Sequence, residues 1–488
     1  MAEKFSAVLR KIMLGLFILL LSGALLLEAL CWAEHKSYMA AFAAAVLLTG
    51  AYLLLRKKFK ARRFACERMG AVKTGAILTG VCFIVKLAWV LLVRLEPTVD
   101  YYTFWITAVE LGRGAKLSSA EYVAMFPHIL GYSRFLGFFT RLFGESSMLA
   151  PILNVVLTMI SGLLIYGMCL ERRGIKTAAF AYLLWILCPS ATLYNTMVLS
   201  EPFYTCLILL FLFLVLRLAR RLESLGGLCA GILTGLAGGL VLAAVNAARP
   251  IAAVPLIAFF LWLLLLRGER LRDKGLWLKW LSFSLVLVLT FTAAGALWDR
   301  YAENRLGEKP AEVPGYSVYV GFNPDSLGSY SNEDMALLME TRYDEGYSAD
   351  EAQKIMLEAA KARISSGEVN FLRLFAGKLQ TFLGNDEGGV YYSMAALSPR
   401  AYSLWAVISN VFYYGLCLLA LLGAADMWKK REASSLLMAP MFVLGLTLAQ
   451  MLVEVAGRYH YSIIPMLIMI AAFFGGAESE KGAKENGC

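Results

Sequence analysis

The sequence predicts an all-α polytopic membrane protein with about 12 transmembrane helices, interfacial helices and a small, mainly helical domain outside the cytoplasm. The 488 residues are 59% hydrophobic with a mean hydropathy of +0.64, which is more apolar surface than a soluble protein of this length could bury. Apolar stretches long enough to cross a bilayer recur along the chain, and short basic runs separate them. Helices are expected because lipid offers the backbone no hydrogen-bond partners.

The basic runs predict the orientation of the chain in the membrane. The net charge of +10 does not indicate nucleic-acid binding, because the bases cluster between apolar stretches, as in cytoplasmic loops. The N-terminus is expected in the cytoplasm, and the first apolar stretch reads as a retained helix because it is long and lacks a small-residue cleavage site. The main runs are Arg56–Arg63, Arg172–Lys176, Arg217–Arg221, Arg267–Lys274 and Lys429–Arg431.

Alternation of apolar and polar stretches predicts twelve spans, at about 12–33, 38–55, 74–93, 148–170, 177–194, 201–218, 228–246, 251–266, 279–298, 402–425, 435–454 and 460–476. All the basic runs then fall on one side. The predicted units are an N-terminal helix pair with a basic cytoplasmic loop (1–73), a transmembrane core that includes a first outer loop at 94–147 (74–298), an outer domain (299–400), the C-terminal spans (401–476) and a cytoplasmic tail (477–488).

Two polar segments lie on the outer side. Segment 299–400 holds 16 acidic residues against 10 basic ones, the opposite of the cytoplasmic loops. Ser348 and Glu351 form a capping box that predicts a helix through about Ser365, and Asn332 is a candidate cap for an earlier helix. Three stretches are predicted to form helices that lie on the membrane surface: the apolar stretch from Phe371 onward, and 101–111 and 128–143 of the first outer loop.

Two acids at helix starts are the first candidate site residues. Asp100 follows Pro97 at the end of the third span, where a carboxylate could act as general base toward an acceptor hydroxyl. Its alternative reading is a helix cap. Glu201 and Pro202 open the sixth span, and this pair is a good helix start on its own. A role for Glu201 in the site would be to orient an acceptor or hold a divalent cation.

Two arginines lie on the predicted outer side of the membrane, where basic residues are not expected. Arg249, before Pro250, lies in a tight turn between spans, where a guanidinium suits a phosphate or pyrophosphate; its alternative role is snorkelling. Arg458 lies with Tyr459 and His460 in the turn between the last two spans, and could hold a donor phosphate.

The histidines and an intramembrane lysine are weaker candidates. His460 and His128 could touch substrate, but a lone histidine is more often a satisfied polar contact. Lys86, inside the third span, is expected to pair with an acid such as Glu454. The nine cysteines show no zinc-site spacing, and the sequence contains neither a nucleotide-binding motif nor a soluble nucleotide-sugar domain. A donor carried by a membrane lipid is the natural alternative.

These motifs together resemble the GT-C glycosyltransferase superfamily, closest to bacterial relatives of protein O-mannosyltransferases and of the lipid A aminoarabinose transferase. The resemblance covers about 74–476. The motifs that carry it, in chain order, are Asp100 with DYYTFWITA, a proline turn before a stretch that ends in LFG at 142–144, LSEP at 199–202, Arg249-Pro250, and Glu454 with GRYHY at 457–461 and Pro465.

The resemblance implies an inverting displacement from a polyprenyl-phosphate sugar to a glycan, lipid or protein acceptor, in a membrane that is expected to be a bacterial plasma membrane. Asp100 would be the catalytic base, Arg458 would hold the lipid phosphate with Arg249, and Glu201 would lie on the acceptor side. Many relatives carry two adjacent acids where this chain has Asp100 alone, so a divalent cation is left open. The two alternatives are a transporter or flippase for a lipid-linked sugar and a non-catalytic scaffold.

Overall fold

The computed structural model describes residues 2–30, 36–59, 65–224, 227–266, 273–430 and 434–475, and within these ranges all regular structure is helical. The predicted runs at 60–63 and 267–272 and the tail at 477–488 lie outside the described residues. The α-helices are α1 (Ala2–Leu30), α2 (Lys36–Phe59), α3 (Ala65–Met69), α4 (Ala71–Leu92), α5 (Asp100–Arg113), α6 (Ala120–Met125), α7 (His128–Phe143), α8 (Leu149–Leu187), α9 (Ser190–Leu193), α10 (Glu201–Ser224), α11 (Leu228–Ala248), α12 (Ala253–Leu261), α13 (Lys274–Leu306), α14 (Gly315–Gly321), α15 (Asn332–Met339), α16 (Ala349–Ser365), α17 (Phe371–Leu383), α18 (Gly388–Tyr391), α19 (Pro399–Lys429), α20 (Met438–Leu452) and α21 (Ile464–Gly475).

Ten helices of the described part are long and apolar enough to cross a membrane, so the chain is a multi-pass membrane protein. They are Phe5–Leu30, Lys36–Arg56, Ala71–Leu92, Leu149–Leu187, Glu201–Leu222, Leu228–Ala248, Lys274–Leu306, Pro399–Lys429, Ser435–Leu452 and Gly457–Phe474. A shorter apolar helix covers Ala253–Leu265, where the sequence predicts a span at 251–266.

Helix α8 is a hairpin of two arms rather than one long rod. Gly174 leaves the helical region at φ 80°, a conformation that glycine adopts without steric cost. The arms then run back along each other: Trp185 Nε1 donates to the Thr158 carbonyl at 2.8 Å, and Tyr182 Oη donates to the Met159 carbonyl at 3.3 Å. The separate spans predicted over 148–170 and 177–194 are these two arms. Counted separately, and together with the shorter apolar helix Ala253–Leu265, they bring the ten long helices to the twelve predicted spans.

Basic side chains of several helices gather at one end of the bundle, here called the basic end. Lys176 pairs with Glu67 at 3.1 Å, and Arg217 pairs with Glu171 at 2.5 Å. Arg173 lies 4.5 Å from the Phe473 ring centroid. Helix α10 has 24 residues and therefore extends roughly 36 Å, with its last turns at the basic end and its first residue far from it.

The first outer loop forms two helices that pack on each other, as predicted for 101–111 and 128–143. At the contact of α5 with α7, a Cβ on Gly112 would lie 2.2 Å from Thr140 Oγ1, so only glycine permits this approach. Helix α7 also meets the end of α11, where a Cβ on Gly131 would lie 2.0 Å from the Ala247 carbonyl oxygen. These contacts bring the first outer loop to the turn that holds Arg249.

The outer segment, predicted at 299–400, is helical and contains the predicted capping box at Ser348 and Glu351. The helix predicted to start after Asn332 has a different cap: the Ser331 side chain accepts from the Asp334 N–H, and Asn332 is the first helical residue. Arg363 pairs with Asp334 at 2.9 Å and joins α16 to α15.

The first two spans pack on the rest of the molecule. Helices α1 and α2 both contact α19, and α1 also contacts α17 and α20. Buried Glu28 of α1 accepts hydrogen bonds from Gln380 Nε2 at 3.1 Å and Asn385 Nδ2 at 3.3 Å. The N-terminal pair thus reaches the segment that leads to the site described next.

Candidate active site

Asp100 is the first residue of α5, where the chain emerges from the extended segment after α4. Val99, immediately before it, has φ 48°, a conformation that is costly for a β-branched residue. The turn directs the Asp100 carboxylate toward the C-terminal part of the chain, and its side chain stays 47% exposed. An exposed carboxylate held by a strained turn is available to a ligand.

Glu201 is the first residue of α10, with Pro202 second, as the helix-start pattern predicts. Its side chain is only 2% exposed. The carboxylate oxygen Oε2 is buried and has no hydrogen-bond partner among the described residues. Burying an acid with an unsatisfied oxygen is costly, so the helix start alone does not account for this residue.

Arg458 links the two acids. It lies in the 3-10 stretch Gly457–Ile463 between α20 and α21. Its Nη1 donates to Asp100 Oδ2 at 3.1 Å, and its Nε lies 4.0 Å from Glu201 Oε1. The Nε atom is buried and makes no hydrogen bond to any described residue. Three residues that are far apart in sequence therefore meet at the end of the bundle opposite the basic end.

The Tyr459 ring lies close to two guanidinium groups. Arg249 Cζ lies 4.0 Å from the centroid of the Tyr459 ring, and Arg458 Cζ lies 5.5 Å from it. Arg458 also lies 5.0 Å from the ring of Tyr392, and the Tyr101 hydroxyl donates to the Tyr392 carbonyl at 3.0 Å. Such stacking holds guanidinium planes while leaving their edges free to donate.

His128 lies beside this group at the start of α7. Burial, together with the nearby cations Arg249 and Arg458, lowers the pKa of His128 to about 3. The imidazole is therefore neutral at physiological pH. A neutral ring can exchange a hydrogen bond with a ligand but adds no positive charge.

Glu454 also belongs to this group of residues, although it was not among the site residues predicted from the sequence. Burial raises its pKa, while Arg458 and Arg249 oppose that shift and Asp100 adds to it. Tyr459 also opposes the shift. The signal available in the sequence was its position four residues before Arg458, within the same motif.

His460 is directed away from this group. Its Nδ1 donates to the Phe382 carbonyl at 2.7 Å, because a carbonyl can only accept. Its Nε2 lies 3.0 Å from Asp386 Oδ1, and Ser190 Oγ donates to the same carboxylate at 2.5 Å. Both ring nitrogens are therefore engaged by the protein. Within the described part of the chain, this predicted site residue does not join Asp100 and the arginines.

Among the described residues, Lys86 contacts carbonyls and a hydroxyl and not the acid that the sequence predicted. Its Nζ donates to the Ile186 carbonyl at 2.8 Å and to Thr192 Oγ1 at 2.6 Å. Carbonyls at the end of α8 have no partners within their own helix, so a buried cation there satisfies them. Lys86 thus fixes the break between α8 and α9, upstream of Glu201.

The donor set does not form a metal site. Among the described residues, no three His, Cys, Asp or Glu side chains come close enough together to hold a metal ion. Asp100 and Glu201 converge on the Arg458 guanidinium instead of on a common point. The residues present therefore do not fit the divalent cation that the sequence left open.

No family model matches the sequence, and no curated protein matches it. Among solved structures, the chain is similar to ArnT from Cupriavidus metallidurans bound to undecaprenyl phosphate and to the same protein in the apo state. In each case the identity is 12% and the TM-score 0.37, over 81% of this chain and 77% of that chain. It is also similar to the archaeal oligosaccharyltransferase AglB from Archaeoglobus fulgidus in complex with an inhibitory peptide and a dolichol-phosphate. There the identity is 11% and the TM-score 0.42, over 81% of this chain and 50% of that chain, so this chain spans about half the length of AglB.

Proposed function

We propose that the chain is an integral membrane glycosyltransferase that moves a sugar from a polyprenyl-phosphate donor to an acceptor outside the cytoplasm, by inverting displacement. One observation carries the proposal. Arg458 pairs with Asp100 at 3.1 Å and faces Glu201 at 4.0 Å, while Arg249 lies across the Tyr459 ring. A base, a buried acid and two guanidinium groups then share one location, as acid–base chemistry next to a bound phosphate requires.

The two arginines would hold the donor phosphate. In the described part of the chain Arg249 has no carboxylate within salt-bridge distance, although it lies in a partly buried turn. Arg458 contributes its unpartnered Nε. Guanidinium edges donate parallel hydrogen bonds to phosphate oxygens, and contact with the Tyr459 ring would orient both groups. His128, being neutral, would add a hydrogen bond to the donor.

Asp100 would act as general base. Its Oδ2 is engaged with Arg458, while its half-exposed side chain leaves the other oxygen available to an acceptor. The acceptor O–H would give its proton to Asp100 as the acceptor oxygen forms a bond to the anomeric carbon. The bond from that carbon to the phosphate oxygen would break, and polyprenyl phosphate would leave with the electron pair. The arginines would stabilise the added negative charge.

The charge distribution supports a site on the side away from the cytoplasm. The site lies at the first residue of α10, whereas Arg217 in the last turns of the same helix pairs with Glu171 at the basic end. Because basic loops face the cytoplasm, the site would open on the other side. Nucleotide sugars are not at hand there, which favours a lipid-linked donor.

Replacing Asp100 by Asn tests the assignment of the base. We expect turnover to fall by about two to four orders of magnitude, since the amide cannot accept the proton. Binding of undecaprenyl phosphate should stay within about twofold, because the arginines remain in place. Turnover is measured as release of polyprenyl phosphate from a panel of polyprenyl-phosphate sugars. Glu96→Gln, an exposed acid in the same loop, is the matched control.

A normal rate of transfer by the Asp100→Asn variant would contradict the mechanism. The transporter alternative has a separate signature in proteoliposomes. It requires a lipid-linked sugar to cross the bilayer with no glycosidic product, and that result would replace the proposed function.

A further inference from the structure

Four tyrosines lie on the outer side of the site and have no part in the donor-side chemistry. They are Tyr122 of α6, Tyr316 of α14, and Tyr330 and Tyr343 of the outer segment, here called the tyrosine cluster. Phe126 joins two of them: its ring centroid lies 5.0 Å from that of Tyr122 and 5.8 Å from that of Tyr316. Tyr330 and Tyr343 are 54% and 48% exposed.

Backbone hydrogen bonds fix the cluster next to the site. The Glu454 N–H donates to the Ser317 carbonyl at 2.7 Å, and the Val455 N–H donates to the Gly328 carbonyl at 2.9 Å. Tyr316 therefore lies beside the strand-like segment that leads to Arg458, and Tyr330 is only two residues from its second anchor. The outer segment is also tied to α6, since Gln353 Nε2 donates to the Met125 carbonyl at 3.2 Å.

The cluster combines ring faces with hydrogen-bonding groups. Tyr316 is only 2% exposed, and its buried hydroxyl has no hydrogen-bond partner among the described residues. Burial raises the pKa of Tyr122, and the charges of Asp100 and Glu454 raise it further, so these carboxylates lie within electrostatic reach of the phenol. Rings, phenol hydroxyls and carboxylate acceptors therefore occur together.

Two cations close to the cluster are engaged by the protein. Arg342 Nη2 donates to Glu308 Oε1 at 2.5 Å and lies 3.9 Å from Glu121 Oε2. Lys378 Nζ donates to three backbone carbonyls. Neither cation is free to pair with an anionic group, which favours a neutral ligand at the cluster.

We propose that the tyrosine cluster is an acceptor subsite for a neutral carbohydrate, so that the acceptor of the transfer is a glycan. The inference rests on the proposed function. Sugar rings present apolar C–H faces that pack on aromatic rings, and their hydroxyls match phenol and carboxylate partners. The exposed faces of Tyr330 and Tyr343 would bind the distant sugar residues, and Tyr122 and Tyr316 the residue whose hydroxyl reaches Asp100.

Binding of neutral saccharides to the purified full-length chain in nanodiscs tests the inference. Saturation-transfer NMR uses methyl α-mannoside, methyl β-glucoside, methyl β-galactoside and chitobiose as probes. We expect at least one of them to bind, and Tyr330→Ala and Tyr343→Ala to weaken it by about fivefold or more. The matching Phe variants keep the ring and should bind within about twofold. Tyr347→Ala, exposed on the same segment, is the control.

Undecaprenyl phosphate binding separates the two proposals. If the chain binds undecaprenyl phosphate but none of the saccharides, or if a Ser/Thr-rich peptide binds in a manner that depends on Tyr330 and Tyr343, the glycan inference is overturned and the proposed function stands. If saccharides bind through these tyrosines but undecaprenyl phosphate does not bind, the donor assignment fails instead.

Discussion

Among its individual residues, the site brings together charged side chains that would each be costly to bury alone. Glu201 and Arg458 are both largely buried, and each keeps an unpartnered polar atom in the described part of the chain. Buried polar atoms in folded proteins are nearly always hydrogen-bonded. The free atoms of Glu201 and Arg458 therefore indicate a place where a polar ligand completes the bonding.

Glu454 should make the stability of the protein depend on pH. Its pKa in the folded protein is raised above the ordinary 4.5, so the folded state binds the proton more tightly than the unfolded state. Stability should then fall as pH rises from about 4.5 through the raised pKa. Glu454→Gln should remove this decline and melt at an equal or higher temperature at pH 7.

Thermal unfolding of both proteins between about pH 4.5 and pH 7 measures this effect. Glu358→Gln is the control, because that side chain is 70% exposed. A variant at position 454 with the same pH profile as the unmodified chain would show that this carboxyl is not perturbed.

Sequence reasoning could identify the charged residues of the site because their types conflict with their surroundings. Arg249 and Arg458 are cations on the side where bases are rare, and Glu201 opens an apolar span. Tyr392 and the positive φ of Val99 carried no such signal. Tyrosine is common at membrane interfaces, and valine is among the residues least expected at φ 48°.

At the scale of elements, a buried lysine joins the outer segment to the site. Lys378 of α17 donates to the carbonyls of Gly321, Met451 and Val453, at 2.9, 2.9 and 2.7 Å. Burial lowers its pKa to about 8, while Glu454 opposes the shift. Gly321 ends α14, and Met451 and Val453 lie just before Glu454 in the chain. By contacting all three carbonyls, Lys378 sets the distance between the outer segment and the site.

Lys378→Met should therefore destabilise the protein by about 2–4 kcal/mol, since three buried carbonyls lose their donor. Thermal unfolding measures the loss. Arg373→Met, an exposed position on the same helix, should change little. Equal melting temperatures for the two variants would mean that the lysine does not hold these segments together.

The elements themselves were predictable to different degrees. Ser348 and Glu351 define the start of α16 by local hydrogen bonds alone, so the predicted capping box is confirmed, and the helix ends at Ser365, close to the predicted end. The cap of α15 differs by one residue because serine and asparagine are adjacent and both can cap. The close approach of α8's arms depends on Gly162, next to the Tyr182 ring, and spacing along the chain carries no information about such a contact.

At the scale of the whole molecule, the all-helical membrane architecture follows from composition and from the alternation of apolar and basic stretches, and the structure confirms it. The arrangement of the spans does not follow in the same way. Lys86 contacts helix-end carbonyls where an acid was predicted, because long-range packing decides which buried partner a charge meets. His460 contacts Asp386 for the same reason, although it directly follows Tyr459, whose ring contacts both arginines.

We propose that Asp100, Arg249 and Arg458 form one site for a lipid phosphate. An experimental structure of the chain in nanodiscs with undecaprenyl phosphate would show whether they do. We expect phosphate density within reach of both the Arg249 and Arg458 guanidinium groups, with the Asp100 carboxylate next to it. Density for the phosphate elsewhere, or Asp100 separated from Arg458 by the width of the bilayer, would rule out this site.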